Sequence, residues 1–243
     1  IIQMIKIKKF RFFGIKFIEG DFKDIKFLLD KGGLLVLPAA PALANIYSDK
    51  SYHKALKHAD IALFDSGFFC LLLRIFKDTK VKKYSGLKFL TQFLDSSINC
   101  LDKILMINPS YGEQLLNKKY LKLKKINNSN HYVAPFYNKN NVNDLKLLKM
   151  IKKDKPRYIV INLGGGVQEL LGSYLKFNLD YKPSIICSGA AIAFLTGQQA
   201  KIPLIFDKFY LGWLFRVIFN PTVFILRYAK AFKLIFLMKY IKN

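Results

Sequence analysis

His58-Ala59-Asp60-Ile61-Ala62-Leu63-Phe64-Asp65-Ser66-Gly67 is the stretch on which the fold reading turns. Residues 42–59 read as a helix that runs out at Ala59-Asp60, with Leu43, Ile46, Tyr47, Ala55 and Leu56 available for an inner face. A continuous apolar run, Ile61 to Phe64, follows and stops at a carboxylate set in a turn. So short a run, bounded by turn residues, reads as a buried strand. A strand that ends on Asp-Ser-Gly places Asp65 at the carboxyl edge of a sheet, where open α/β folds bind their ligands. Asp65 is therefore the candidate catalytic base. Its plainer role would be to cap the helix that follows, a job that Asp and Ser often do.

The same pattern extends in both directions. Upstream, residues 10–19 suit a strand or hairpin and 21–29 a helix closed by Gly32-Gly33. Leu34-Leu35-Val36-Leu37, stopped by Pro38, suits a strand buried on both faces. Downstream, helices are expected over 68–76 and 87–98, a strand over 103–107 and a helix over 111–117. The polar, basic segment 120–130 reads as a loop around a short strand, and 132–134 as another brief strand. A helix over 143–153 precedes the clearest strand, Tyr158-Ile159-Val160-Ile161-Asn162-Leu163. A helix over 168–177, a strand over 184–187 and a helix over 190–196 complete the series. Strands alternating with helices in this way predict an α/β fold, a mostly parallel, Rossmann-like sheet flanked by helices.

From about Pro203 the character changes, dividing the chain into an α/β core (1–202) and a basic, apolar appendage (203–243). A helix over 222–238 would align Ile225, Ala229, Phe232 and Phe236 on one face, with Arg227 and Lys230 pointing away. That is the pattern of an amphipathic helix lying in a membrane interface. The same stripe would also suit a helix packed on the core.

Forty Lys and Arg against 16 Asp and Glu give a net charge of +24 in 243 residues, a field that favours a polyanionic partner. With 52% hydrophobic residues the chain is not disordered. Cys70, Cys100 and Cys187 are widely spaced, and His53, His58 and His131 form no ligand set, so neither a disulfide framework nor a His/Cys metal site is expected. No cleavable signal peptide is read in the first residues, and no charge-free apolar run of spanning length occurs.

Two further features carry chemistry. Leu163-Gly164-Gly165-Gly166-Val167-Gln168-Glu169 sets glycines between a strand and a helix, where backbone N–H groups and the helix N-terminus favour a diphosphate. It lacks the Lys-Ser/Thr pair of a P-loop and the spacing of the dinucleotide fingerprint, and a tight turn without a ligand is the plainer reading. Lys83, beside Ser85 and Gly86, offers a cation to a phosphate. Arg216 and Arg227 stand in apolar segments where a guanidinium needs a carboxylate or phosphate partner.

Taken in order, these blocks resemble the bacterial WecB/TagA/CpsF glycosyltransferase family over about residues 14–228. The resemblance rests on Asp65 after Ala59-Asp60, on Lys83-Tyr84-Ser85-Gly86 where the family usually has Arg-x-Thr-Gly, and on Pro135-Phe136-Tyr137 at a Gly-Tyr-Phe position. Its most specific piece is the segment from Leu163 to Glu169, similar to Leu-Gly-x-Pro-Lys-Gln-Glu. Gly189 to Gly197, Trp213-Leu214-Phe215-Arg216, Pro221 and Arg227-Tyr228 follow in family order.

The resemblance implies transfer of a hexose or hexosamine, with inversion, from a UDP-sugar to a polyprenyl-diphosphate-linked acceptor in cell-surface polysaccharide or teichoic acid-type synthesis. Asp65 would be the base. Leu37, Ala39, Ser66, Gly67, Lys83, Ser85, Gly86, Phe136, Tyr137, Gly164, Gly165, Gly166, Gln168 and Glu169 would surround the donor. Arg216 and Arg227 would meet the diphosphate or lipid. The implied place is the anionic inner face of the cytoplasmic membrane. No paired carboxylate motif for a divalent ion is evident in the donor segments, so no metal and no cofactor beyond the UDP-sugar substrate is expected. A homo-oligomer is compatible with this reading.

The departures are specific. Leu37 stands where the family usually has Thr, Ala39 where it has Asn, Ser66 for Gly, Val167 for Lys, and Gly212 for the Glu before Trp213. Loss of the Thr and Asn points away from an N-acetylmannosamine-type donor, since a pocket discriminates most through the groups it hydrogen-bonds. A non-catalytic, membrane-bound paralogue that binds UDP-sugar or lipid is the alternative. A nucleic-acid-binding module is the remote one: the charge suits it, but the aromatics lie within apolar runs and no recognition motif is present.

Overall fold

Leu34 and Val36 pack into one hydrophobic cluster and Leu35 and Leu37 into another, so the sheet to which they belong is buried on both faces. The computed structural model describes residues 6–96, 102–138, 141–199, 210, 212–219 and 221–240. Among them are eight strands: β1 (Lys8–Phe12), β2 (Ile15–Glu19), β3 (Gly33–Val36), β4 (Ile61–Leu63), β5 (Ile104–Asn108), β6 (Ser129–Val133), β7 (Tyr158–Ile161) and β8 (Ser184–Cys187). They form one sheet in the order β1-β2-β4-β3-β8-β7-β5-β6. Every pairing is parallel except the β1–β2 hairpin. The fold is the α/β, Rossmann-like arrangement that the alternation predicts.

On one face lie α2 (Ala40–Leu43), α3 (Lys50–Lys57), α4 (Gly67–Lys77), α7 (Leu145–Asp154) and α8 (Val167–Asn178), which contribute Leu43, Leu56, Phe69, Ile151 and Leu171 to the larger cluster. On the other lie α1 (Phe22–Leu29), α5 (Gly86–Ser96), α6 (Tyr111–Leu123) and α9 (Ala191–Leu195), with Ile25, Phe89, Phe93, Leu121 and Ile192 in the second. The appendage forms α10 (Gly212–Phe219), α11 (Pro221–Ala231) and α12 (Lys233–Tyr240). These pack on α2 and α4, and Ala231, Leu234 and Met238 join the larger cluster.

Three expectations change. Residues 42–59 are two short helices, because Asp49 accepts the Tyr52 N–H at 2.9 Å and starts α3 afresh. The polar stretch 120–130 continues α6 to Leu123, and only then turns at Lys125 (φ +58°) into β6. Only Asn117 and Leu121 of α6 are buried, too few apolar positions for the sequence to mark the helix end. Residues 222–238 are broken at Phe232 into α11 and α12. The stripe expected to run along one helix faces solvent: Ile225 is 51% exposed, Phe232 47% and Phe236 65%. Phe232 also meets the buried Phe68 edge to face at 5.7 Å, but the residues that enter the core here are Leu234 and Met238.

The start of β4 is fixed before the site is reached. Asp60 Oδ2 accepts the Leu34 N–H and the Lys176 ammonium, each at 2.7 Å, joining β3 and α8 to the residue that leads into β4. Gly33 (φ +124°) makes room for this, since a Cβ there would stand 2.4 Å from the same oxygen.

Candidate active site

The carboxyl ends of β4, β3, β8, β7 and β5 open on a cleft of about 780 Å³. Its place agrees with the rule that parallel sheets bind ligands beyond their strand ends. Asp65 follows β4 and lines the cleft, and its Oδ1 accepts the Gly86 N–H at 2.7 Å. The carboxylate thus sits at the N-terminus of α5, where the helix dipole favours an anion. The capping role goes to its neighbour: Ser66 Oγ accepts the Phe69 N–H at 3.2 Å and starts α4. One turn therefore holds a structural side chain and, beside it, a carboxylate directed to the cleft.

Leu37 and Ala39, after β3, line the same cleft and give it an apolar wall. Lys83, Ser85 and Gly86 arrive on the segment that leads into α5. Ser85 Oγ accepts the Lys88 N–H at 3.2 Å within the first turn of that helix. Beneath them the buried Cys70 thiol is pushed up to about 12, by burial first and by Asp65, against the opposing charge of Lys83. It stays protonated and unreactive at neutral pH.

Gly164, Gly165, Gln168 and Glu169 bound the opposite wall. Gly166 (φ +96°) caps α8 and donates its N–H to Glu169 Oε2 at 2.7 Å. The Val167 and Gln168 N–H groups both return to the Gly164 carbonyl. Gln168 is buried, donates to Glu169 Oε1 at 3.1 Å and accepts the Gly189 N–H at 2.7 Å. The Gly166, Val167 and Gln168 N–H groups are thus used inside the turn, with a carboxylate already at the helix N-terminus. Gly164 and Gly165 are exposed, and a Cβ at either would meet nothing within 4 Å. They form an open wall.

Phe136 and Tyr137 do not line the cleft. They follow β6, the edge strand, where Phe136 is fully exposed and the Tyr137 hydroxyl donates to Asp144 Oδ2 at 2.7 Å, as does Tyr132. Arg216 and Arg227 fall in α10 and α11, and their side chains lie outside the described residues.

The appendage roofs the cleft with Tyr210, Trp213 and Tyr228. Trp213 meets Phe68 of α4 edge to face at 5.4 Å and Tyr228 at 5.7 Å. Tyr210 passes so close to the start of α4 that a Cβ on Gly67 would stand 2.6 Å from its carbonyl oxygen. Only glycine admits this approach, so the Asp65 turn and the appendage are fitted to each other.

Sequence reasoning passed over two polar residues at the strand ends. Asn162, 4% exposed, closes β7, and its Oδ1 accepts the Ser188 hydroxyl at 3.1 Å. Its Nδ2 has no partner among the described residues, and neither has Trp213 Nε1. A buried donor left unpaired costs about 1–3 kcal/mol. The available signal was an Asn at the end of a run that is otherwise Ile, Val and Leu.

Among the described residues no group of three His, Cys, Asp or Glu side chains is placed to hold a metal ion, and no helix is long and apolar enough to cross a membrane. The family model described as Glycosyl transferase WecG/TagA/CpsF family matches residues 11–243. No individual curated protein matches the chain.

Proposed function

Because the chain belongs to the WecG/TagA/CpsF family of glycosyl transferases, which act in cell-surface polysaccharide synthesis, we propose that it moves a sugar from a UDP-sugar to a lipid diphosphate-linked acceptor with inversion at the anomeric carbon. The observation that carries this reading is the Asp65 carboxylate, anchored by the Gly86 N–H and lining a cleft large enough for a nucleotide sugar.

In the reaction, Asp65 takes the proton of the acceptor hydroxyl as its oxygen attacks the anomeric carbon. The bond from that carbon to the diphosphate oxygen breaks on the opposite side, and the electron pair leaves with UDP. Lys83, on the same side of the cleft, offsets the charge that develops on the leaving group. Arg216 and Arg227 are proposed to add to it from the appendage. Leu37 and Ala39 themselves offer the sugar no side-chain hydrogen-bonding group, which suits a hexose or another sugar without an acetamido group.

The acceptor carries a lipid, and the appendage has the surface to meet it. Ile218, Ile225, Leu226, Phe232 and Phe236 are exposed, with Lys230 and Lys233 among them. Apolar side chains enter the headgroup boundary while ammonium groups meet anionic lipid. The enzyme in this reading works on the inner face of the cytoplasmic membrane without spanning it.

The test is transfer from a panel of UDP-sugars to a lipid-linked acceptor, wild type beside Asp65→Asn. Turnover with at least one donor, abolished or nearly so in the variant, is the expected result. UDP binding without transfer from any donor would instead support a non-catalytic paralogue.

A further inference from the structure

Asp65 stands where the cleft changes character. Its Oδ1 accepts the Gly86 N–H at 2.7 Å, which ties it to α5, a helix whose buried residues join the second cluster on one face of the sheet. Two residues on, Gly67 begins α4, whose buried residues join the larger cluster on the other face. The carboxylate therefore lies on the border between two differently built sides.

On the α5 side the lining is Lys83, Lys88, Thr91 and Gln92. The Lys88 ammonium lies 5.4 Å from the centre of the Tyr84 ring, and the Tyr84 hydroxyl donates to Gln92 Oε1. These lysines and polar groups suit a diphosphate. On the α2 and α4 side the lining is Ala40 with the rings of Tyr210, Trp213 and Tyr228, all three packed against the larger cluster. The other charged lining residues described, Glu113 and Glu169, belong to α6 and α8.

Inversion needs the attacking oxygen and the departing diphosphate on opposite sides of the anomeric carbon. With the diphosphate beside the lysines, the acceptor hydroxyl reaches Asp65 from the side of the rings. Those rings suit a sugar: the C–H groups of a pyranose carry a slight positive charge and pack on the negative face of an aromatic ring. Trp213 is braced by Phe68 at 5.4 Å and Tyr228 at 5.7 Å, and Phe68 in turn by Phe232 at 5.7 Å. Rings braced before the ligand arrives lose little freedom on binding it. They belong to the same appendage whose Ile225, Leu226 and Phe236 are exposed for the lipid.

We propose that Trp213 and Tyr228 form the acceptor subsite, packing on the sugar ring of the lipid diphosphate-linked acceptor and presenting its hydroxyl to Asp65. This deepens the transfer reaction proposed above and rests on it.

Initial rates test the assignment, with donor and acceptor varied separately for wild type, Trp213→Ala, Trp213→Phe and Tyr228→Ala. Two acceptors carry the same sugar diphosphate, one on a full-length polyprenyl chain and one on a short alkyl chain. Trp213→Ala and Tyr228→Ala should each raise the acceptor KM about tenfold on both acceptors, with donor KM and the Kd of UDP within about twofold of wild type. Trp213→Phe keeps a ring and should recover most of the loss. An unchanged acceptor KM would overturn the proposal, as would a rise confined to the full-length chain, which would put the rings on the lipid. A parallel rise in donor KM would also overturn it, by placing the rings on the donor. Should Trp213→Ala fail to fold, Trp213→Phe and Tyr228→Ala decide the matter. Wild type that binds no UDP and transfers no sugar to either acceptor would instead overturn the reaction beneath the proposal.

Discussion

The two ends of the sheet treat their polar groups in opposite ways. At the amino ends of β7 and β8 the side chains close on one another. The Tyr158 hydroxyl donates to Asp30 at 2.9 Å, Arg157 to Asp102 at 2.9 Å, and Ser184 Oγ to the Leu29 carbonyl at 2.6 Å. Arg157 also lies over the Tyr158 ring, 5.2 Å from its centre. At the carboxyl ends of the same strands, Asn162 and Ser188 line the cleft and Gly164 and Gly165 stand open. Where polar groups satisfy one another they hold the fold. Where the strand ends open on the cleft, they leave space for a ligand.

That contrast predicts that damage at one end affects chemistry and at the other stability. The largest effect is expected at Asp65: Asp65→Asn should lower kcat by about 10²- to 10⁴-fold, with UDP affinity and melting temperature close to wild type. A variant that loses stability in step with activity would break the contrast. Next comes the appendage. Phe232→Glu with Phe236→Glu should reduce partition to anionic vesicles about 100-fold or more, since each buried phenyl ring is worth about 1.5–3 kcal/mol. Sedimentation with vesicles reads this directly; Phe236→Glu alone should leave unfolding little changed, since that side chain is 65% exposed, whereas Phe232 also meets Phe68 edge to face.

Gly67→Ala sharpens the account of the roof. A methyl 2.6 Å from the Tyr210 carbonyl must displace the appendage, and a misplacement of that order should cost about tenfold or more in turnover. Retained activity would mean that Tyr210 and the roof play no part in the site. The smallest effect belongs to the amino end. Tyr158→Phe removes the hydrogen bond to Asp30 and should destabilise by about 1 kcal/mol in urea unfolding, with turnover unaltered.

Much of the fold is legible in the sequence because buried parallel strands are short, unbroken apolar runs. Leu34 to Leu37, Ile61 to Phe64 and Tyr158 to Ile161 could be read in this way. What resisted reading depended on contacts from elsewhere in the chain. The hairpin turn at Phe13-Gly14 (φ +55° and +72°) carries no ordinary turn dipeptide, and the Phe13 ring is instead stacked 6.0 Å from Phe69. The end of α6 has a polar sequence and one buried leucine near its close. At Phe232 a continuous stripe gave no sign of a break, because the break is set by where Leu234 and Met238 enter the core.

The candidate site divides in the same manner. Asp65, Leu37, Ala39 and Gly164 are close to strand ends in sequence, and topology brings them to one cleft, which Lys83 joins on the segment before α5. Phe136 and Tyr137 also follow a strand, but β6 is an edge strand, and its carboxyl end lies beyond the cleft. Which strand lies at the edge is a property of pairing that local sequence does not carry. Nor does it reveal that Glu169 would cap its own turn and so occupy the Gly166 N–H, with the Val167 and Gln168 N–H groups taken by the Gly164 carbonyl.

The most direct test of the account is the structure of the protein with an intact UDP-sugar bound. The account predicts the sugar against Leu37 and Ala39, the Asp65 carboxylate on the face of the anomeric carbon opposite the diphosphate, and the diphosphate near Lys83. A diphosphate lying on the same face as Asp65, or a UDP-sugar bound outside this cleft, would contradict it.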